Sequence, residues 1–143
     1  MDKYAKTTST GNTINIPVDG MGRKVVTITE NTTLTSKDSG GIFLVGTDAL
    51  TITLPATIAG WWGTFVNIGA AGNNIITIAP VAADGICGTI TLASSIVTRV
   101  GTVNTALVNT KATSTLGNSV TIVGTGNTGT GAYVITGSTG IWA

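Results

Sequence analysis

Histidine is absent from this chain, cysteine occurs once, and charged residues make up only 9% of it. Each scarcity excludes a chemistry. Without histidine there is no commonest general base, no standard serine or cysteine triad and no imidazole metal ligand. A single cysteine cannot close an intramolecular disulfide or build a zinc or iron–sulfur site. Cys87, in GICGTITL, is expected to be a small buried core residue instead. Net charge is +1 and no basic run exceeds Arg23-Lys24, so the electrostatic footprint of nucleic-acid binding is missing. Glycine and threonine interrupt every apolar run before it reaches the roughly 18 to 20 residues of a membrane-spanning helix. The opening MDKYAKTTSTGNTINIP carries no apolar core of the kind a secretory leader needs. No cofactor is expected.

What fills the sequence is β-structure chemistry. In Leu50-Thr51-Ile52-Thr53-Leu54 apolar and polar residues alternate strictly, which is the period of a half-buried strand, and Pro55 ends it because it cannot donate to a ladder. The alternation resumes with Trp62, Thr64, Val66 and Ile68 on one parity. Similar strands are expected over residues 24–30, 33–35, 41–45, 50–54, 63–69, 75–79, 86–92, 96–100, 103–109, 119–123 and 132–136. Val, Ile and Thr, the β-branched residues that sheets favour, fill them. SKDSGG, GTDA, GAAGNN, AADG and GTGNTGTG supply the turn chemistry between them. No window shows a helical apolar stripe with caps. The expected fold is all-β, an antiparallel sandwich or barrel, jelly-roll-like, spanning residues 21–143. Residues 1–20 are polar and rich in Thr and Ser, and read as an extended N-terminal arm, either disordered or docked on a neighbour.

Several features imitate sites. GTGNTGTG, Gly124 to Gly131, satisfies the G-x-G-x-x-G pattern, yet AYVITGSTG follows it as a strand where a dinucleotide site needs a helix N-terminus; it reads as a hairpin loop. The carboxylates Asp19, Glu30, Asp38, Asp48 and Asp84 are scattered. Asp38, Asp48 and Asp84 sit beside Gly, Ser or Thr, where a short acceptor caps its own turn. Neither a glycosidase acid pair nor a calcium cage is indicated, and the chain does not read as an enzyme. Asn31-Thr32-Thr33 is a formal glycosylation sequon with no leader to expose it. Trp61 and Trp62 have opposite parity, so one is expected to cap the core and the other to lie nearer the surface, as an interface anchor or a sugar-stacking platform.

The charges are also unevenly spread. Ten of the thirteen lie within residues 1–48, leaving Asp84, Arg99 and Lys111 for everything beyond. So few ions cannot cover a folded surface, and mean hydropathy is +0.43. The exposed faces must carry Thr, Ser, Asn and Gly or be covered by another chain, which points to an assembly subunit.

The stretch TLTSKDSGGIFLVGTDALTITLPATIAGWWGTFVNIGAAGNNIITI resembles a pattern found in tailed-bacteriophage structural proteins: head-decoration (cement) and head-fibre subunits and tail-fibre β-modules. The corresponding pieces are Thr33-Leu34-Thr35, Asp38-Ser39-Gly40, Ile42 to Val45, Thr53-Leu54-Pro55 and Gly60-Trp61, with a closing Gly140 and Trp142. The resemblance is firm over residues 33–79. It implies a virion protein made in the host cytoplasm and placed on the capsid surface, where the major capsid protein would be its partner and it would assemble as a homotrimer. Residues 81–118 match no such pattern, and no shaft repeat precedes the module, which favours a short decoration subunit over a long fibre. Lys3, Tyr4 and Lys6 of the arm, with Trp61 and Trp62, are the expected contacts to capsid or neighbouring subunits. A tail-fibre or head-fibre module binding a receptor or host-surface glycan through a tryptophan is the alternative.

Overall fold

Runs of Val, Ile and Thr bounded by Gly, Asn and Asp become strands, as the alternation predicts. The computed structural model describes residues 3–7, 13–17 and 23–143. Its strands are β1 (Lys3–Thr7), β2 (Thr13–Pro17), β3 (Lys24–Ile28), β4 (Thr32–Thr33), β5 (Gly41–Val45), β6 (Leu50–Thr53), β7 (Trp62–Asn67), β8 (Ile76–Ala79), β9 (Asp84–Thr91), β10 (Ile96–Arg99), β11 (Leu107–Asn109), β12 (Ser119–Gly124) and β13 (Gly129–Thr139). The G-x-G-x-x-G imitation is the β12–β13 connection and joins strand to strand. A seven-stranded sheet, ordered β10-β9-β13-β12-β7-β5-β3, and a four-stranded sheet, ordered β11-β8-β6-β4, make an all-β sandwich. Within the stretch read as an arm, β1 and β2 pair antiparallel from Lys3↔Pro17 to Thr7↔Thr13, a hairpin that the sequence reading did not anticipate. The remainder of that stretch lies outside the described residues.

The strand pairing differs from the uniformly antiparallel one expected. β3-β5-β7 and β4-β6-β8 run parallel, as do β9 and β13. From residue 24 to residue 79 the chain lays one strand in the larger sheet, crosses to the smaller, and returns to lay the next beside the first. Lys24, Gly41 and Gly63 therefore align, and so do Leu50 and Ile76. Parallel neighbours need a crossover between them, and here the strand in the opposite sheet supplies it. Segments such as GTDA are corners between sheets where hairpin turns were expected. Their local chemistry is the same, because both reverse or bend the chain with residues tolerant of unusual φ; Ala49 stands at φ 60°. The winding stops after β8. β9 and β10 form a hairpin, β11 joins β8 antiparallel, and β13 enters last between β12 and β9.

Inward residues of both sheets make one core that includes Phe43, Val45, Ile52, Phe65, Ile78 and Ile122. Phe43 and Phe65 are register partners with rings stacked 5.1 Å apart. Gly41 and Gly63, also partners, leave the room this needs: a Cβ would lie 2.6 Å and 2.9 Å from the Phe43 ring.

Before β5 a short 3-10 turn, Ser36–Asp38, is held by a capping box. Asp38 accepts from the Thr35 N–H at 2.8 Å and its hydroxyl at 2.9 Å, and Lys24 Nζ stands 3.4 Å away. Partial burial works to raise the Asp38 pKa, but the bonds from Thr35 and from Lys24 outweigh it and hold the carboxyl below its ordinary value. Stability from a depressed carboxyl is present above the unfolded pKa, about 4, and is lost as pH falls through the lower folded value. Asp38→Asn is therefore expected to destabilise by about 1 kcal/mol near neutral pH. Wild type and variant should draw together in acid, as pH falls through the lowered folded value and the carboxyl becomes protonated in both states. Urea unfolding at neutral and at acid pH checks this.

Candidate interaction surface

The register of the larger sheet fixes which side chains stand side by side on the face turned away from the smaller sheet. One row is Trp62–Val123–Val134–Cys87. The next is Val25–Ile42–Thr64–Thr121, and a third is Thr27–Leu44–Val66–Ser119. None of these twelve residues is charged. Most are half-buried by their neighbours alone, while Val25 at the edge is 53% exposed. The threonines tie strands rather than merely facing water: the Thr64 and Thr121 hydroxyls are 2.8 Å apart. The face is a pleated surface of β-branched and apolar groups, with Ile68 beyond it 40% exposed.

The two tryptophans divide as parity requires. Trp61 is 2% exposed, donates from Nε1 to the Thr35 carbonyl at 3.0 Å, and meets Tyr133 edge to face with centroids 5.9 Å apart. Named with Trp62 as an interface residue, it is instead a core residue, because it shares the inward parity of Gly63 and Phe65. Trp62 lies half-buried on the outer face, its indole beside Gly40 and its N–H donating to the Ser39 hydroxyl. Lys3, Tyr4 and Lys6 fall in β1, and their side chains lie outside the described residues. Nothing described brings them to Trp62.

Cys87, expected in the core, is half-exposed on the outer row opposite Val134; strand parity gives the core position to Ile86. Asp84 is the other correction. It is fully buried, and its Oδ2 accepts from the Thr57 N–H at 2.8 Å, so it tethers the β6–β7 connection to β9 rather than capping its own turn. Its second oxygen has no hydrogen-bond partner among the described residues. Tyr133 donates to the Pro55 carbonyl at 2.9 Å nearby, and burial together with the Asp84 charge pushes its phenol well above the usual range. Arg99 serves carbonyls: Nε bonds Ile86 at 3.0 Å and Nη2 bonds Thr105 and Ala106 at 3.1 and 2.7 Å, clipping β10 to β9 and to the lead-in of β11. Burial lowers its pKa from the guanidinium norm. These groups are single and apart, and among the described residues no cluster of three metal-ligating side chains forms.

A cleft of about 300 Å³ opens where β13 leaves β9. β13 pairs with β9 as far as Ile135↔Gly88, then follows β12, while β9 follows β10. Trp142 bridges the parted strands, its N–H reaching the Thr91 carbonyl at 3.3 Å and its Nε1 the Thr139 carbonyl at 3.1 Å. The lining is Thr89, Thr91, Thr136, Ser138, Ile96 and Ile135 with Gly137. It offers hydroxyls and methyls, with neither an ion nor an aromatic ring. Parity alone finds Trp62; the uncharged rows and the cleft have no local signal, because they depend on which strands are neighbours. No family model matches the chain, and no curated protein matches it.

Proposed function

We propose that this chain is a virion structural protein, a decoration subunit that binds and stabilises the outside of a phage capsid as a homo-oligomer. The observation that carries the reading is the uncharged outer face of the seven-stranded sheet. A face of Val, Ile, Leu, Trp and Thr can seat on capsid protein without removing ions from water, the costly step in most interfaces. The cross-braced sandwich behind it keeps that face in one shape, so little ordering cost falls on binding. A subunit that binds the assembled lattice and not its free components shifts the lattice away from disassembly by mass action. The resemblance over residues 33–79 supports capsid protein as the partner, and the scarcity of charge across residues 49–143 supports an assembly role.

Val66 lies within the third row, between Leu44 and Ser119. Val66→Lys is expected to weaken co-sedimentation with empty expanded capsids of the cognate phage by about tenfold or more. The circular dichroism spectrum should not change, because the side chain points away from the core. Unchanged capsid binding by this variant would sink the assignment of the face. The receptor reading predicts something else: glycan binding without capsids, lost in Trp62→Ala, which is the half-exposed tryptophan.

A further inference from the structure

The hairpin β1–β2 forms a two-stranded sheet of its own, separate from both sheets of the sandwich. Two strands alone are marginal in water, because each has one edge of backbone N–H and C=O groups without a ladder. The sandwich has the complementary deficit. Its larger sheet ends at β3, which among the described residues is bonded on one side only, in parallel to β5. β3 is five residues long, as are β1 and β2. The fold does not leave every edge in this state. On the smaller sheet, β11 is covered by the chain's own end: Val108 N–H donates to the Ala143 carbonyl at 2.7 Å, and Ala143 N–H donates back at 2.9 Å. An uncovered edge strand is a template for another strand.

We propose that the β1–β2 hairpin of one copy adds through β2 to β3 of a second copy and extends its seven-stranded sheet. A single chain holds both the hairpin and β3, joined through residues 18–23, and yet they stand in separate sheets. A second copy provides one open β3 for every hairpin. This contact joins two different surfaces, so repeating it closes a ring when the rotation between copies permits. The inference rests on the assembly-subunit reading and deepens it. The hairpin joins copies, while the uncharged outer face remains for the lattice.

Asn15→Pro in the middle of β2 tests the exchange in the full chain. If the Asn15 N–H bonds β1, proline breaks the hairpin; if it points outward, proline blocks the added ladder. Among the described side chains, those of the core lie at Ile28 or beyond, and an unchanged circular dichroism spectrum of the variant checks that the sandwich stays folded. Light scattering should give a whole multiple of 14.3 kDa for the wild-type protein and the single-chain mass for Asn15→Pro. The β3 amides that face away from β5 should exchange with solvent about tenfold or more faster in the variant. An oligomer unaffected by Asn15→Pro overturns the proposal. A wild-type monomer does so too, whether its β3 amides are unprotected or are protected by its own hairpin. Capsids take no part in this measurement. A monomer that still sediments with capsids therefore refutes the exchange and spares the decoration reading, and an oligomer that ignores capsids does the reverse.

Discussion

Asn67→Ala is expected to lower the free energy of unfolding by about 3 kcal/mol, read as a shift in the urea midpoint at unchanged slope. Asn67 is fully buried on β7, at the inward position that follows Phe65, where apolar filling of the sandwich stops. Its Nδ2 donates across the sandwich to Asn109 Oδ1 on β11 at 2.8 Å. Its Oδ1 accepts from the Gly69 N–H at 2.8 Å and from Asn74 Nδ2 at 3.1 Å. The chain of amides continues, because Asn109 Nδ2 donates to Asn118 Oδ1 and to the Ile141 carbonyl. Asn118 in turn holds Thr115 through its side-chain amide and carbonyl. Alanine at 67 would strand Asn109 Oδ1 away from water and leave the half-buried Gly69 N–H without its partner. Each buried polar group left without a partner costs about 1 to 3 kcal/mol, which outweighs the bonds themselves. Thr64→Ala removes a hydroxyl pair on the outer face, where water replaces the lost partner, and should cost under about 1 kcal/mol. Equal losses in the two variants would mean that the amide chain does not hold this end of the sandwich together.

Asn67 also illustrates what was legible. The strand positions from residue 24 onward follow from alternation and turn chemistry, as does the split between Trp61 and Trp62. All of these are settled by the two-residue period of a strand. By the same parity Asn67 falls in line with Phe65 and Gly63, and an amide at a core position demands a partner. Its partners, Asn74, Asn109 and Asn118, are scattered singly through turns and strand ends, and only the completed topology brings them together. The parallel winding was illegible for a related reason. A glycine-rich corner between sheets and a hairpin turn use the same residues, so local sequence cannot say whether the next strand returns beside the last or crosses to the opposite sheet. The uncharged rows of the outer face inherit that ambiguity. Each strand contributes two or three uncharged outward positions, which is unremarkable alone, and their union across neighbours makes a surface. Asp84 looked like a turn residue because AADG is turn chemistry; its tether to Thr57, in a connection far away in sequence, has no local mark.

Gly101→Ala should be more damaging still, preventing folding or lowering stability by about 4 kcal/mol or more. Three stretches of backbone converge there: the start of β9, the segment leaving β10, and the start of β13. A Cβ on Gly101 would lie 1.8 Å from the Thr130 carbonyl oxygen, 2.9 Å from its carbon and 3.1 Å from Cys87 Cβ. One on Gly85 would lie 3.0 Å from the Thr102 oxygen and 3.1 Å from the Thr130 oxygen. A flexible side chain could swing away from such a contact. The Thr130 carbonyl belongs to the start of β13, where the register against β9 shifts between Gly129 and Tyr133, so relief requires moving backbone rather than a side chain. Gly131, the neighbour of Thr130, is the control, since nothing lies within 4 Å of its added Cβ. Gly131→Ala should be neutral or slightly stabilising, because alanine has less backbone freedom to lose on folding. The comparison also bears on function. The crossing at Gly101 sets how β9 and β10 sit against β13, and hence the Cys87–Val134 end of the uncharged face and the cleft beside it. A milder change at the same crossing, Gly85→Ala, with contacts near 3 Å, should retain a cooperative melt at reduced stability while weakening capsid binding. Were Gly101→Ala to melt within about 1 kcal/mol of wild type, the three backbones could not be this close, and the placement of β13 between β9 and β12 would be wrong.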